Sequence, residues 1–284
     1  MKLYDYLIKA QTERFAIGAF NVDNLEILRA VAQGTANLSS PAIIEVSPGQ
    51  VKAWGIQNLV ACVNNLKEEY QVPLFLNLDH ASDLDVINNA IELDFDMVHF
   101  DGSELPFEEN LKTCADVVAA ANQKNIIVEG EIDHFPGSSE PGLKSVSKNV
   151  LTDSAKAGEF VSKAGVDILA VFIGNKHGLY ADDSEHLDLD HLQKLIGVLP
   201  KMMFSIHGGS GVAPEEVDAA IKQGIVKVNI NTELRVAFRE TLENMLQGNP
   251  DEYAWYKLTA PVIESVREVV ESKIKVFGSA GKIV

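Results

Sequence analysis

Three histidines and an acid lie at or shortly after the ends of short apolar stretches of the chain. Asp79 and His80 end the stretch LFLNLDH, His177 lies in GNKHG, and His207 opens HGGSG. Imidazole nitrogens are preferred zinc ligands, and catalytic zinc sites keep one coordination position open for substrate. Each histidine alone is explained as easily by a structural role, so a metal site requires a fold that brings all three together. His99 lies inside an apolar run and is expected to pack in the core.

The rest of the chain predicts such a fold. Eight short apolar runs alternate with longer segments whose apolar residues recur every three or four positions, as in amphipathic helices. The runs are Ala16–Val22, Pro41–Ser47, Pro73–Asp79, Met97–Ser103, Ile126–Ile132, Ile168–Gly174, Met203–Gly209 and Val226–Thr232. The helical segments include Leu25–Ala36, Asp83–Leu93, Asn110–Gln123, Ala155–Ala164, Leu189–Leu199 and Glu215–Gln223. Eight such units predict a (β/α)8 TIM barrel, a single α/β domain over residues 1–284, with extra C-terminal helices after Gly248. An open doubly wound sheet is disfavoured because no G-x-G-x-x-G follows the first run.

In such a barrel the active site forms at the carboxyl ends of the strands. The polar residues at the predicted strand ends are Asn21, Ser47, Asp79, His80, Asp101, Ser103, Glu131, His177, His207, Asn229, Asn231 and Thr232. His80, His177 and His207 therefore converge on one rim from three different strands. Asp101 and Glu131 are candidates for a second metal position at the same rim.

Two polar turns, the first of them rich in glycine, follow the last two predicted strands. HGGSG and NINT present backbone N–H groups and hydroxyls beside helix starts, which bind anions through unpaired donors and the helix dipole. TIM barrels often bind phosphate next to strands seven and eight. A metal, a neighbouring acid and a phosphate anchor predict chemistry on a phosphorylated carbonyl compound. The metal would polarise the carbonyl, and Asp79 would move a proton.

The composition disfavours several partners. The formal net charge is −17, and repulsion from phosphate backbones and anionic lipid argues against nucleic-acid and membrane-surface binding. The first residues lack the apolar core of a signal peptide, and no apolar run approaches the roughly 20 residues of a membrane span. The two cysteines, Cys62 and Cys114, lie in helical segments and are expected to be free thiols. These features predict a reducing, cytoplasmic location.

With these residues in place, the sequence resembles the class II, metal-dependent ketose-bisphosphate aldolases, which include the fructose- and tagatose-bisphosphate enzymes. The resemblance covers nearly the whole chain and rests on an ordered set of motifs: FAIGAFNVDNLE, SPAIIEVSPG, PLFLNLDHASD, DGSELPFEEN, VEGEI, GNKHGLY, HGGSGV, VKVNINTEL and KIKVFGSAGK. It implies reversible retro-aldol cleavage of fructose 1,6-bisphosphate, or of a related ketose 1-phosphate such as tagatose 1,6-bisphosphate. The products would be dihydroxyacetone phosphate and an aldehyde.

The resemblance also implies roles for the matching residues. Zinc (Zn2+) would be bound by His80, His177 and His207, with Glu131 at an alternative metal position. Asp79 would act as acid and base on the oxygen of the aldehyde carbon. The substrate-binding residues would be Asn21, Ser47, Asn229 and, around the C1 phosphate, Gly178, Gly208, Ser210, Asn231 and Thr232. The backbones of the two glycines would also help bind a monovalent cation, Na+ or K+. Family members are usually homodimers or homotetramers.

Two positions depart from the family pattern. In the loop that begins EGEIDHFPGSSE, Ser139 stands where the family has the Glu that takes the C3 proton, and Glu140, one residue later, is the expected substitute. Tyr256 stands where fructose-bisphosphate enzymes commonly supply an Arg to the far phosphate, which is the phosphate at the opposite end of the substrate from C1. Lys257 or Lys282 could add charge there, but neither has the bidentate geometry of a guanidinium. The resemblance therefore supports a ketose 1-phosphate more strongly than a bisphosphate.

Other functions stay open. The chain could be a non-catalytic companion subunit of a tagatose-bisphosphate aldolase, although it keeps the metal residues. It could also be another metal-dependent barrel enzyme acting on a phosphorylated sugar. Lys227 inside the eighth run could form a Schiff base if burial activated it, but such a lysine and a metal site are alternative solutions to one chemical problem. The insertions Asp133–Asn149 and Tyr180–Leu187 have the length of functional lids.

Overall fold

The strands form a closed parallel barrel. The computed structural model describes residues 1–132, 151–176, 178 and 186–283. Each strand pairs with the next in chain order, and β8 pairs with β1. The strands are β1 (Ile17–Asn21), β2 (Ala42–Val46), β3 (Leu74–Ala81), β4 (Met97–Asp101), β5 (Ile127–Glu131), β6 (Ile168–Ala170), β7 (Met203–Ile206) and β8 (Ile225–Ile230). The predicted (β/α)8 TIM barrel is confirmed, and each predicted run overlaps one observed strand.

Helices surround the barrel. Within the described residues they are α1 (Leu3–Glu13), α2 (Leu25–Asn37), α3 (Pro48–Trp54), α4 (Ile56–Tyr70), α5 (Leu84–Glu92), α6 (Phe107–Asn122), α7 (Ser154–Ala164), α8 (Leu189–Val198), α9 (Pro214–Gln223), α10 (Thr232–Gly248) and α11 (Trp255–Val276). Helices α2 and α5 to α9 match the predicted segments to within a few residues. Helix α11 lies beyond Gly248, as predicted.

The amino-terminal end of the barrel interior is an apolar floor. It consists of residues at the start of the strands and residues of α1 and the turn after it: Leu3, Tyr6, Leu7, Ala10, Phe15, Ile17, Ala19, Ile43, Phe75, Met97, Ile127, Ile168, Met203 and Val226. Side chains alternate between the two faces of a strand. The next inward positions therefore lie one and two layers above this floor.

Those higher layers are polar and almost completely buried. The middle layer contains Glu45, Asn77, His99, Glu129, Ser205 and Lys227, each 0% exposed. The layer at the carboxyl ends contains Asn21, Asp79, Asp101, Glu131, His207 and Asn229. Burying polar groups is unfavourable unless they are paired, so these side chains must find their partners inside the barrel.

Several sequence predictions concern other parts of the chain. Cys62 in α4 and Cys114 in α6 are free, as expected. No helix in the described part of the chain is long and apolar enough to cross a membrane. The insertion Asp133–Asn149 and residues 180–185 of the second insertion lie outside the described residues, and so do Glu140 and His177.

Candidate metal and substrate site

Three imidazole rings meet at the carboxyl end of the barrel. His80 on β3, His99 on β4 and His207 after β7 have ring centroids 4.6, 4.6 and 4.9 Å apart. One ligand atom from each of these histidines and one from Asp79 lie within 4.8 Å of one another. The predicted convergence of His80 and His207 is therefore observed. His99 is buried, as expected, but its ring belongs to the same cluster, which the sequence did not predict.

An irregular strand end allows Asp79 and His80 to face the same site. Consecutive side chains normally point to opposite faces of a strand. Here the pairing of β3 with β4 shifts register between Leu78 and Ala81, and His80 has a left-handed backbone with φ 50°. That conformation costs a non-glycine residue about 1–2 kcal/mol, which indicates that the surrounding contacts hold it in place.

The hydrogen-bond partners determine which imidazole nitrogens carry protons. His80 Nδ1 lies 2.8 Å from Asp101 Oδ2, and His207 Nε2 lies 3.0 Å from Glu129 Oε1. Carboxylates accept hydrogen bonds, so these two nitrogens are the donors. In the neutral rings, His80 Nε2 and His207 Nδ1 then carry the lone pairs, and they lie 2.9 Å apart. Burial alone would lower the pKa of His80, but the carboxylates of Asp79 and Asp101 raise it, which favours a proton between these two nitrogens. Burial lowers the pKa of His207 to about 3, which keeps this imidazole neutral and able to bind a metal.

The donor set fits a divalent cation. Two imidazole lone pairs that face each other at 2.9 Å repel unless a proton or a cation lies between them, and carboxylate-oriented histidines are typical of zinc sites. Both carboxylate oxygens of Glu131 are buried without a hydrogen-bond partner among the described residues. Burial, and then the Asp101 carboxylate, raise the pKa of Glu131 to about 7. A second group of ligand atoms, from His80, Asp101 and Glu131, could hold an ion at this position.

Asp79 is held by two side-chain amides. Asn21 Nδ2 donates to Asp79 Oδ2 at 3.0 Å, and Asn229 Nδ2 donates to Oδ1 at 3.4 Å. Burial by itself would raise the pKa of Asp79, but the neighbouring imidazoles of His80 and His99 hold that pKa well below its usual value. Asp79 is thus held as a charged carboxylate beside the imidazoles of His80 and His207, and a charged carboxylate can accept a proton.

A buried charge network lies below this carboxylate. Lys227 Nζ donates to Glu129 Oε2 at 2.7 Å and to Asn229 Oδ1 at 2.8 Å, and it lies 3.0 Å from Glu45 Oε1. An ammonium has only donors, so this contact fixes the Asn229 oxygen towards Lys227 and its NH2 towards Asp79. Burial alone would lower the pKa of Lys227, but Glu129 and Glu45 raise it. A firmly charged ammonium disfavours the Schiff-base alternative, which needs a neutral amine.

The glycine-rich turn after β7 packs closely against β8 and α10. The Gly209 N–H donates to the Asn229 carbonyl at 3.0 Å, and a Cβ at Gly209 would lie 2.6 Å from Val228 Cγ1. Ser210 is buried, and its hydroxyl accepts the N–H of Glu233 at 3.4 Å. The turn is therefore fixed beside the amino-terminal end of α10, where Asn231 and Thr232 lie.

The remaining predicted substrate residues have different surroundings. Ser47 caps α3, since its Oγ accepts the N–H of Gln50 at 3.4 Å. Gly208 and Gly178 have positive φ angles of 66° and 113°, which favour glycine. Next to Ser47, Gln50 donates to Asp23 at 2.6 Å, and Arg235 forms a bidentate pair with the same carboxylate.

The candidates for the far phosphate are not alike in position. Tyr256 is 74% exposed at the start of α11, and Lys257 pairs with Glu252 at 2.8 Å. Lys282 pairs with Glu13 at 2.7 Å and its ammonium lies 5.2 Å from the ring centroid of Phe15. Phe15 belongs to the apolar floor, so Lys282 lies at the opposite end of the barrel from the candidate site of its own chain.

Comparison with known proteins agrees with the geometry. A family model described as fructose-bisphosphate aldolase class-II matches residues 1–282. The chain is 38% identical over 288 residues, 96% of each protein, to a fructose-bisphosphate aldolase of Streptococcus pneumoniae. It is 35% identical over 276 residues, 97% of this chain and 96% of the relative, to a sulfofructosephosphate aldolase of Alkalicoccus urumqiensis. It resembles the crystal structure of the YdjI aldolase from Escherichia coli K12 with a TM-score of 0.86 and 29% identity, over 100% of this chain and 99% of that one.

Proposed function

Because the chain belongs to the class II fructose-bisphosphate aldolase family, we propose that it cleaves fructose 1,6-bisphosphate or a related ketose 1-phosphate, such as tagatose 1,6-bisphosphate. The products are dihydroxyacetone phosphate and an aldehyde, and the reaction is reversible. The observation that carries this proposal is a carboxylate, Asp79, fixed by two amides beside the metal-facing nitrogens of His80 and His207. A companion subunit without activity would not need this arrangement.

The metal site would use the nitrogens that the carboxylates leave unprotonated. His80 Nε2 and His207 Nδ1 would bind Zn2+, and the resemblance to the family adds His177 as third ligand and Glu131 as an alternative position. The chemistry that a divalent ion supplies when bound here is Lewis-acid polarisation of the substrate carbonyl. Asp101 and Glu129 orient the two rings and increase their basicity as ligands.

Asp79 would perform the proton transfer that starts cleavage. In that direction it accepts the proton of the C4 hydroxyl, the C3–C4 bond breaks, and the C4 aldehyde departs while the electron pair stays with the C3 fragment. Glu140, the acid nearest to the usual position of the loop base, would return a proton to C3. Asn21 and Asn229 keep the Asp79 carboxylate in place throughout.

The phosphate end of the substrate would lie on the turns after β7 and β8. We assign the C1 phosphate to Gly178, Gly208, Ser210, Asn231 and Thr232, because fixed N–H groups and hydroxyls near a helix start bind anions. A monovalent cation, Na+ or K+, would share the two glycine backbones. Asn21, Ser47 and Asn229 would contact the sugar carbons and hydroxyls.

The substrate choice and assembly follow from the same proposal. Tyr256 cannot supply the charge of an arginine, so a ketose 1-phosphate with an uncharged far end is the second candidate substrate. We also propose a homodimer or homotetramer with a cytoplasmic role in carbohydrate metabolism, such as glycolysis.

A coupled assay for dihydroxyacetone phosphate tests the function. Fructose 1,6-bisphosphate and fructose 1-phosphate are compared side by side, before and after chelation and after zinc is restored. The expected result is cleavage that chelation abolishes and zinc restores. Cleavage of neither substrate by the zinc-loaded protein would overturn the proposed reaction, and chelator-resistant cleavage would overturn the metal site.

A further inference from the structure

His99 is the one imidazole of the described cluster to which neither the motifs nor the family resemblance assigns a role. It is 0% exposed, at the middle of β4, between β3 with Asp79 and His80 and β5 with Glu131. A fully buried imidazole is destabilising unless its ring nitrogens have polar neighbours. The partners of its two nitrogens therefore indicate what it does.

The first nitrogen holds the backbone of His80. The N–H of His80 donates to His99 Nδ1 at 3.2 Å, at the point where the pairing of β3 with β4 is irregular. His80 has the left-handed backbone that allows its ring to reach Asp101 and His207. His99 thus provides an acceptor for the His80 N–H at the irregular end of the strand.

The second nitrogen faces the alternative metal position. Since Nδ1 accepts a hydrogen bond, the ring proton resides on Nε2. Nε2 lies 3.2 Å from Glu131 Oε2, an ion-pair contact that is not aligned as a hydrogen bond. His99 therefore contacts a candidate metal residue on each neighbouring strand, through a different nitrogen for each. With Nδ1 engaged and Nε2 protonated, the ring has no lone pair for a metal.

We propose that His99 is a positioning residue of the metal site, which fixes the His80 backbone through the hydrogen bond to Nδ1 and attracts the Glu131 carboxylate through the ion-pair contact of Nε2. The inference rests on the proposed metal site, and it adds a residue that sets how tightly that site holds its ion. Outer partners of metal ligands typically change metal affinity about 10- to 100-fold when they are replaced.

Three substitutions separate the two contacts. His99→Asn keeps an oxygen near the Nδ1 position, which can accept the His80 N–H. His99→Gln keeps an N–H donor near the Nε2 position, which can face Glu131. His99→Leu keeps the volume and removes both. His191→Asn is the matched control, because that half-buried histidine bonds the Thr152 carbonyl away from the cluster.

The readout is Co2+ binding, followed by visible absorption and by competition with a chelator, with circular dichroism as the test of folding. We expect His99→Leu to bind Co2+ about 10- to 100-fold more weakly than the unmodified protein, with an altered absorption band. His99→Asn and His99→Gln should show intermediate losses, and His191→Asn none. If His99→Leu does not fold, the Co2+ affinities of His99→Asn and His99→Gln test the proposal.

Three outcomes would overturn the proposal in distinguishable ways. Unchanged affinity and absorption in the folded His99 variants would remove the positioning role and leave the proposed function intact. Complete loss of bound metal in both His99→Asn and His99→Gln would make His99 a ligand instead. Failure of the unmodified protein to bind Co2+ or Zn2+ would overturn the proposed metal site itself, and this inference with it.

Discussion

At the scale of single residues, Asp79 and His80 are neighbours in sequence with separate partners. Asp79 contacts the amides of Asn21 and Asn229, whereas His80 contacts Asp101 and His207. The left-handed backbone of His80 makes this division possible. A sequence pattern can identify the two residue types, but only the irregular strand end brings both side chains to one site.

Ser139 and Glu140, in the loop after β5, allow a test of which residue acts as the base. If Glu140 replaces the usual base, Glu140→Gln should slow cleavage by about 100-fold or more, and it should slow exchange of the hydroxymethyl hydrogen of dihydroxyacetone phosphate with deuterated water. Ser139→Ala is the matched control and should change both rates little. Nuclear magnetic resonance measures the exchange directly, and equal rates in the two variants would assign the base to another residue.

Lys227 should stabilise the barrel interior through its charge. Lys227→Met leaves the buried Glu129 carboxylate without its cation, and breaking such a pair typically costs about 3–5 kcal/mol. Lys222→Met, on the exposed face of α9, is the control and should stay within about 0.5 kcal/mol. Urea unfolding measures both free energies. Similar values for the two variants would contradict a paired, charged Lys227.

At the scale of elements, the strands and most helices could be predicted from the sequence. The strands are short apolar runs, and the helices have apolar residues at a regular spacing of three or four positions. The site was predictable where polar residues end a strand, as at Asp79, His80 and His207. His99, Glu45 and Lys227 were harder, because they lie one layer deeper and read as interruptions of apolar runs. Their signal was positional. Glu45 and His99 each follow a residue of the apolar floor by two positions, whereas Lys227 follows Val226 directly, where the pairing of β7 with β8 shifts register. These positions are visible only once the strand register is known.

Two aspartates join neighbouring strands at their amino ends. Asp96 accepts the Leu76 N–H from before β4, and Asp167 accepts the Val128 N–H from before β6, both at 2.9 Å. Burial raises the pKa of each carboxyl above its ordinary value of 3.8, against the effect of these hydrogen bonds. The folded state therefore favours the protonated acid, and each group's contribution to stability falls as pH rises from the ordinary value through the raised one.

A pair of substitutions at Asp167 checks this pH dependence. Asp167→Asn keeps an oxygen acceptor without the charge, so we expect similar or higher stability at neutral pH and a smaller loss of stability between acidic and neutral pH. Asp167→Ala leaves the Val128 N–H unpaired and should cost about 1–3 kcal/mol. Urea unfolding at several pH values gives the comparison. A larger pH dependence in Asp167→Asn than in the unmodified protein would contradict the predicted loss of stability from Asp167 as pH rises.

At the scale of the whole molecule, the apolar residues of the barrel interior and the residues of the candidate site lie at opposite ends. The apolar floor lies at one end, and the polar layers lie at the other. Carboxylates are concentrated around the imidazole cluster, and the net charge of the chain is −17. A bound cation would reduce the repulsion among these carboxylates. Metal binding should therefore stabilise the folded protein in addition to its proposed role in catalysis.

Metal removal should therefore lower the melting temperature. A ligand at about 100 times its Kd adds roughly 2.7 kcal/mol to stability, which corresponds to a fall on the order of 5–10 °C after chelation in a protein of this size. Restoring zinc should restore the original value, whereas added magnesium should not. Calorimetry with and without chelator measures the change, and an unchanged melting temperature would argue against metal at this site.

We propose that His80 and His207 bind the metal and that Asp79 transfers the proton. The most direct test of these separate roles is one variant, Asp79→Asn, measured for both metal content and cleavage. We predict that it binds as much zinc as the unmodified protein, because His80 and His207 are intact, while release of dihydroxyacetone phosphate falls by about 100- to 10,000-fold. Elemental analysis and the coupled assay on the same sample give both numbers. Near-normal cleavage by zinc-loaded Asp79→Asn would contradict the assignment of Asp79 as the residue that moves the proton.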